Sequence, residues 1–191
     1  MSEEAQKRHV ILRIAGFCGV ASPVVSWTFI VLSIIMMPEF DWIKNWLSDL
    51  GCVETTAVIF NSGLIISGVL GVAFAFGFYE IQKTKLGRLG VYVYTLGAIS
   101  LCAIGVFLKT FGMVHFVASV AFFALTSISM VMVGVAEIAE NKVYGVFTLV
   151  SGLVAGVAAL TPWKALSETI SGITISVWTI ISAGKLLRRG N

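Results

Sequence analysis

Six apolar runs, each long enough to cross a bilayer, fill nearly all of this 191-residue chain and leave only short polar connections. No other feature limits the fold as strongly. A spanning helix needs about 20 apolar residues, and within hydrocarbon its backbone polar groups must be satisfied internally. With 58% hydrophobic residues, only 12% charged ones and a mean hydropathy of +0.96, a soluble fold could not hide the apolar surface. The expected fold is therefore all-α: a polytopic transmembrane six-helix bundle forming one membrane domain over residues 1–191.

The runs place spans at about 11–37, 56–81, 88–108, 113–137, 143–160 and 167–187. Pro23 falls in the middle of the first and predicts a kink, with Ser22 and Ser26 nearby to satisfy freed backbone groups. The apolar run after MSEEAQKRH is too long for a signal h-region, so the first span is expected to remain in the mature protein.

Sorting Lys and Arg onto alternate sides of these spans gives a lopsided result. Ten fall on one side (Lys7, Arg8, Arg13, Lys83, Lys85, Arg88, Lys142, Lys185, Arg188, Arg189) and three on the other (Lys44, Lys109, Lys164). Basic residues accumulate in cytoplasmic loops, so both termini are expected inside the cell membrane and the 38–55 connection outside it. In that setting the net charge of +3 reports orientation, and a nucleic-acid partner is not expected.

The 38–55 connection is the one long stretch that cannot cross a membrane. Trp42, Ile43, Trp46, Leu47 and Leu50 recur at three- and four-residue steps, predicting a short amphipathic helix on the extracytoplasmic surface that Gly51 ends. Helix contacts in lipid favour small residues that let backbones approach. Gly63, Ser67, Gly71 and Ala75 form such a face in the second span, and Gly152 and Gly156 another in the fifth.

Ionisable side chains within spans are rare and usually face an interior or a wet cavity. His115 is the sharpest case, and it leads a stripe through Ser119, Thr126 and Ser129. A similar line runs through Ser167, Ser171, Thr174 and Ser182 in the sixth span. Ser48, Asp49, Asn61 and His115 fall at similar depth near the outer end, with Lys109, Trp163, Lys164 and Glu168 on the same side. They make either one outward-open pocket or a wet loop rimmed by interfacial tryptophans; the sequence leaves both readings open.

No metal site, cofactor motif, phosphate loop or dinucleotide fingerprint is present, and His9, the other histidine, lies on the opposite side. A Ser48–His115 dyad lacks a nucleophile elbow and an oxyanion donor set. Cys18, Cys52 and Cys102 form no disulfide framework.

The segments WLSDLG, IFNSGLIISGVL, RLG, GVF and HFVASVAFF resemble the domain-of-unknown-function 998 family of six-span prokaryotic membrane proteins, over roughly residues 10 to 185. That family is similar in layout to the eukaryotic Frag1/DRAM/Sfk1 group, linked to lipid remodelling. The resemblance puts the family motif on Ser48, Asp49, Leu50, Gly51, Asn61 and His115; where members often carry Pro and an acidic residue after GVF, this chain has Leu108 and Lys109. It implies membrane lipids as partners, with a lipid or small molecule as ligand, and no established activity. Lipid handling through the outward pocket is the preferred expectation, ahead of a small transporter or substrate-binding subunit, an intramembrane enzyme, and a structural or regulatory protein.

Overall fold

The computed structural model describes residues 3–190. They form α1 (Glu3–Ile35), α2 (Ala57–Glu80), α3 (Lys85–Val106), α4 (Met113–Glu137), α5 (Lys142–Ala159) and α6 (Lys164–Arg189), with no strand among them. All six are long and apolar enough to cross a membrane, so this is an all-helical, multi-pass membrane protein. Each helix packs on its neighbour in sequence and α6 returns to α1, which closes the helices into a ring.

The small and hydroxyl-bearing residues of the spans are concentrated inside the ring, among buried apolar ones, while the outside is almost wholly apolar. Val58, Phe76 and Val143 are exposed on its surface, whereas Ser33, Thr126, Ser129 and Thr148 are buried. Hydroxyls join helices directly: Ser22 donates to the Ser67 carbonyl at 2.9 Å, Ser171 to the Ala155 carbonyl at 2.9 Å, and the Trp27 indole to Ser176 Oγ at 2.9 Å. Such bonds average about 0.6 kcal/mol in membranes. One half of the interior is filled by Phe74, Phe78, Tyr94 and Trp178, whose ring centroids lie 5.1 to 5.7 Å apart.

The small-residue faces make the close contacts. Gly63 admits Phe29 of α1, and Gly68 admits Cys102 of α3. Between α4 and α5 the approach is tight at one end only. A Cβ would lie 2.6 Å from the Ile138 nitrogen at Gly145, 2.5 Å from the Leu149 nitrogen at Gly134 and 2.9 Å from Met130 at Gly152, but at Gly156 the nearest atom is 3.5 Å away. Beyond Gly156 the two helices part.

The start of α1 and the end of α6 lie at one end of the ring, where Gly190 rests against His9 and Arg13. The ten basic residues cluster towards this terminal end, where Lys83 pairs with Glu140 at 2.9 Å and Arg8 reaches the Glu80 carbonyl at 3.4 Å. Lys44, Lys109 and Lys164 occupy the opposite, loop-bearing end, where Lys164 Nζ donates to the Lys44 carbonyl at 2.6 Å.

Three local expectations are corrected. The helix expected over Trp42–Leu50 is absent: residues 42–44 form a turn, and only Leu47–Gly51 coil, as a 3-10 helix. Asp41 Oδ1 takes the Ile43 and Lys44 N–H groups at 2.9 and 3.1 Å, an Asx-type arrangement that competes with helix. Trp42, Ile43 and Trp46 point outward, while Leu47 and Leu50 are buried in the bundle. Beside Pro23 in α1, the Ser22 hydroxyl donates to the Ser67 carbonyl of α2 rather than satisfying a backbone group freed in its own helix. In α6, Thr174 is only half-buried and its hydroxyl donates to the Ile170 carbonyl of its own helix; the buried stripe runs through Ser171, Ile175, Trp178 and Ser182.

Candidate functional site

The 41–51 connection is folded down over the loop-bearing end and fastened to three elements. On α6, Glu168 Oε2 accepts the Leu47 N–H at 2.7 Å, and the Ala165 N–H donates to the Asn45 carbonyl at 3.0 Å. On α2, the Asn61 amide donates to the Gly51 carbonyl at 3.0 Å. At the connection between α3 and α4, Lys109 forms an ion pair with Asp49 Oδ1. Gly51 fits this contact closely: a Cβ would fall 2.6 Å from Asn61 Oδ1, and the Asn61 amide would have to shift.

Asp49 is the knot of this arrangement. Its Oδ2 accepts the Trp46 N–H at 2.8 Å, and the Asn45 amide approaches the same oxygen at 3.4 Å. Partial burial pushes its carboxyl up, but the Lys109 ammonium, the Trp46 N–H and the Asn45 amide outweigh that, and the group lies below the ordinary carboxylate value. Exposed Asp41 is also lowered, chiefly by the Ile43 N–H and the Lys44 ammonium.

Gly112, with φ of +58° and open space around its Cβ position, lets the chain reverse from the Lys109–Phe111 turn into α4. This reversal brings His115 back onto the turn it follows. Its Nδ1 lies 2.7 Å from the Phe107 carbonyl oxygen, which can only accept, so Nδ1 carries the proton and Nε2 is left for another partner. No Ser48–His115 hydrogen bond forms, and among the described residues no group of three His, Cys, Asp or Glu side chains could hold a metal.

Two cavities meet beneath the connection. Where α4 and α5 part, a groove of about 830 Å³ runs along the bundle surface. Its upper end carries Trp46, Ser48, Lys109, His115 and Glu168; its walls, among them Val120, Ile128, Val131, Leu153 and Val157, are apolar. A smaller cavity of about 110 Å³ lies in the centre of the ring above the aromatic cluster, lined by Ser22, Trp27, Ser67, Tyr94, Thr126 and Thr179 among others. Ser48, Ser119, Phe123 and Glu168 line both, so they form the doorway between surface groove and interior.

Of the residues singled out from sequence, Ser48, Lys109 and His115 come together on the groove, and Asp49 stands behind Lys109. Asn61 is committed to the Gly51 carbonyl and lines neither cavity, and exposed Trp163 lines neither. Glu168, at the doorway, was placed on this side by sequence but not among the candidate ligands. A lone carboxylate near the start of an apolar span was the available signal.

Neither a curated protein nor a solved structure matches this chain. A family model described as "Protein of unknown function (DUF998)" matches residues 20–185, which include the groove, the central cavity and every fastening of the connection. By that match over most of its length, the chain belongs to the DUF998 family.

Proposed function

We propose that this protein binds a membrane lipid in the groove between α4 and α5, with the headgroup at the Ser48, Lys109, His115 and Glu168 end. The observation that carries the reading is the division of the groove. The charged side chains and the imidazole are confined to one end, and a largely apolar trough, with Ser127 its one hydroxyl beyond Ser119, continues from it towards Val131 and Met132. A water-soluble ligand would have no use for that trough. An acyl chain would bury against it, with each methylene worth about 0.8 kcal/mol when moved out of water.

The excess of basic residues at the terminal end supports a cell-membrane orientation with both termini cytoplasmic. The groove then opens in the outer leaflet, and its polar end lies at headgroup depth.

Gly156→Phe tests the reading, because its Cβ meets only ordinary contact and the ring must project into the groove. Lipid retained through detergent purification is counted by native mass spectrometry. A fall of about tenfold, with the protein still monodisperse, is expected; unchanged retention would sink the lipid reading.

A further inference from the structure

We infer that the central cavity is a binding site for a primary ammonium group, entered past Glu168. The inference rests on the lipid reading for its source of ligand, an aminoethyl headgroup whose tail lies in the groove, but its chemistry comes from the cavity itself.

Among the described residues, Glu168 is the one charged side chain lining that cavity, and no cation answers it there. Its Oε2 is held by the Leu47 N–H at 2.7 Å, which fixes the carboxylate and leaves Oε1 without a protein partner. The remaining polar lining is hydroxyl. Ser67 is 1% exposed and its Oγ has no hydrogen-bond partner, although its carbonyl accepts from Ser22. A buried hydroxyl left unsatisfied carries a cost that a ligand or water must relieve. Trp27 and Tyr94 add aromatic surface, which is attractive to a cation and not to an anion.

These features select among headgroups. A phosphate in the cavity would face the Glu168 carboxylate with no cation in the lining, whereas on the groove side it would meet His115 and Lys109, which keeps N–H donors beyond its pair with Asp49. A primary ammonium offers three N–H donors for Glu168 Oε1 and the hydroxyls. A trimethylammonium has the charge but no N–H, and cannot satisfy Ser67. The volume, about 110 Å³, is several times the roughly 10–15 Å³ that a single water needs, which leaves room for an aminoethyl unit. A zwitterionic headgroup thus has its phosphate outside the doorway and its ammonium inside.

The test uses the purified full chain with dioleoyl-phosphatidylethanolamine, -phosphatidylcholine and -phosphatidylglycerol in equal amounts, bound lipid being counted by native mass spectrometry. At least a fivefold preference for the ethanolamine lipid is expected. Glu168→Gln keeps an acceptor for Leu47 and should abolish the preference, read as the ratio of ethanolamine to choline lipid whatever the total bound; Ser67→Ala, which touches neither groove nor Leu47, should reduce that ratio about twofold to threefold. Equal retention of the three lipids would overturn the ammonium site and leave the lipid reading intact; so would a preference unchanged in Glu168→Gln. Retention of none would remove both. Quenching of tryptophan fluorescence by millimolar ethanolamine alone, kept in Gly156→Phe and lost in Glu168→Gln, would support the ammonium site but assign it to a free amine.

Discussion

Lys185 in the last turns of α6 donates to Glu137 at the end of α4 at 2.8 Å, across two helices that are not neighbours in the ring. The same ammonium stands 3.6 Å above the Tyr144 ring of α5, whose hydroxyl lies 2.7 Å from Ser182. Three helices are thereby tied at the terminal end.

Breaking this pair on one side should be costly, because it leaves a buried charge without its partner. Lys185→Met is expected to lower stability by about 3–5 kcal/mol, and adding Glu137→Leu to recover much of that loss. Denaturation in detergent micelles followed by circular dichroism gives both values. A double variant as impaired as the single one would refute the ion-pair account.

The α4–α5 contact makes a sharper comparison between two chemically identical changes. Gly134→Ala drives a methyl into backbone at 2.5 Å, which cannot yield, whereas Gly156→Ala meets Ser127 Cβ at 3.5 Å. The first should cost about 1–3 kcal/mol and the second stay within about 0.5 kcal/mol of the parent. Melting temperatures of the two purified variants decide it, and equal values would deny that the helices part between these positions.

Acid should loosen the connection through Asp49. Its folded-state pKa is depressed below the ordinary 3.8, so its contribution is complete above that value and is lost as pH falls through the lower folded-state one. The Lys109 side chain is 38% exposed and that of Asp49 23%, so solvent screening limits the pair to about 1 kcal/mol. Asp49→Asn should lose about this amount at pH 7, and its disadvantage should shrink as the pH is taken down below 3.8. Melting curves on both sides of that value check the sign; a disadvantage that grew in acid would contradict it.

Orientation has a natural reporter. Cys52 is exposed in the loop-bearing end, while Cys18 and Cys102 are half-buried in α1 and α3. On intact cells an impermeant maleimide should label the protein at Cys52, and Cys52→Ser should abolish labelling. Labelling that required membrane rupture would invert the proposed topology.

The six helices were legible because lipid demands long apolar runs, and the two ends because lysine and arginine segregate between them. The spacing from Trp42 to Leu50 was equally regular yet misleading. There the N–H groups of Ile43, Lys44 and Trp46 go to aspartate side chains and that of Leu47 to Glu168, 121 residues away. Periodicity reports which face is apolar, but not where the backbone donors find their acceptors. For the same reason Ser48, Lys109 and His115 could be assigned to one end from sequence, while the task of Asn61 could not: its partner is a main-chain carbonyl that carries no signature of its own.

A circle of helices has one seam, and here it lies between α1 and α6, the pair farthest apart in the chain. During insertion, α1 to α5 form an open arc whose serines and threonines still look onto hydrocarbon or onto the translocation machinery. Only when α6 slides into place do Ser171 and Ser176 meet Ala155 and Trp27, and Glu168 reach the backbone of Leu47. The sixth helix is thus the keystone of the enclosure: a chain stopped short of Lys164 would have no sealed chamber and would leave these polar partners unmet.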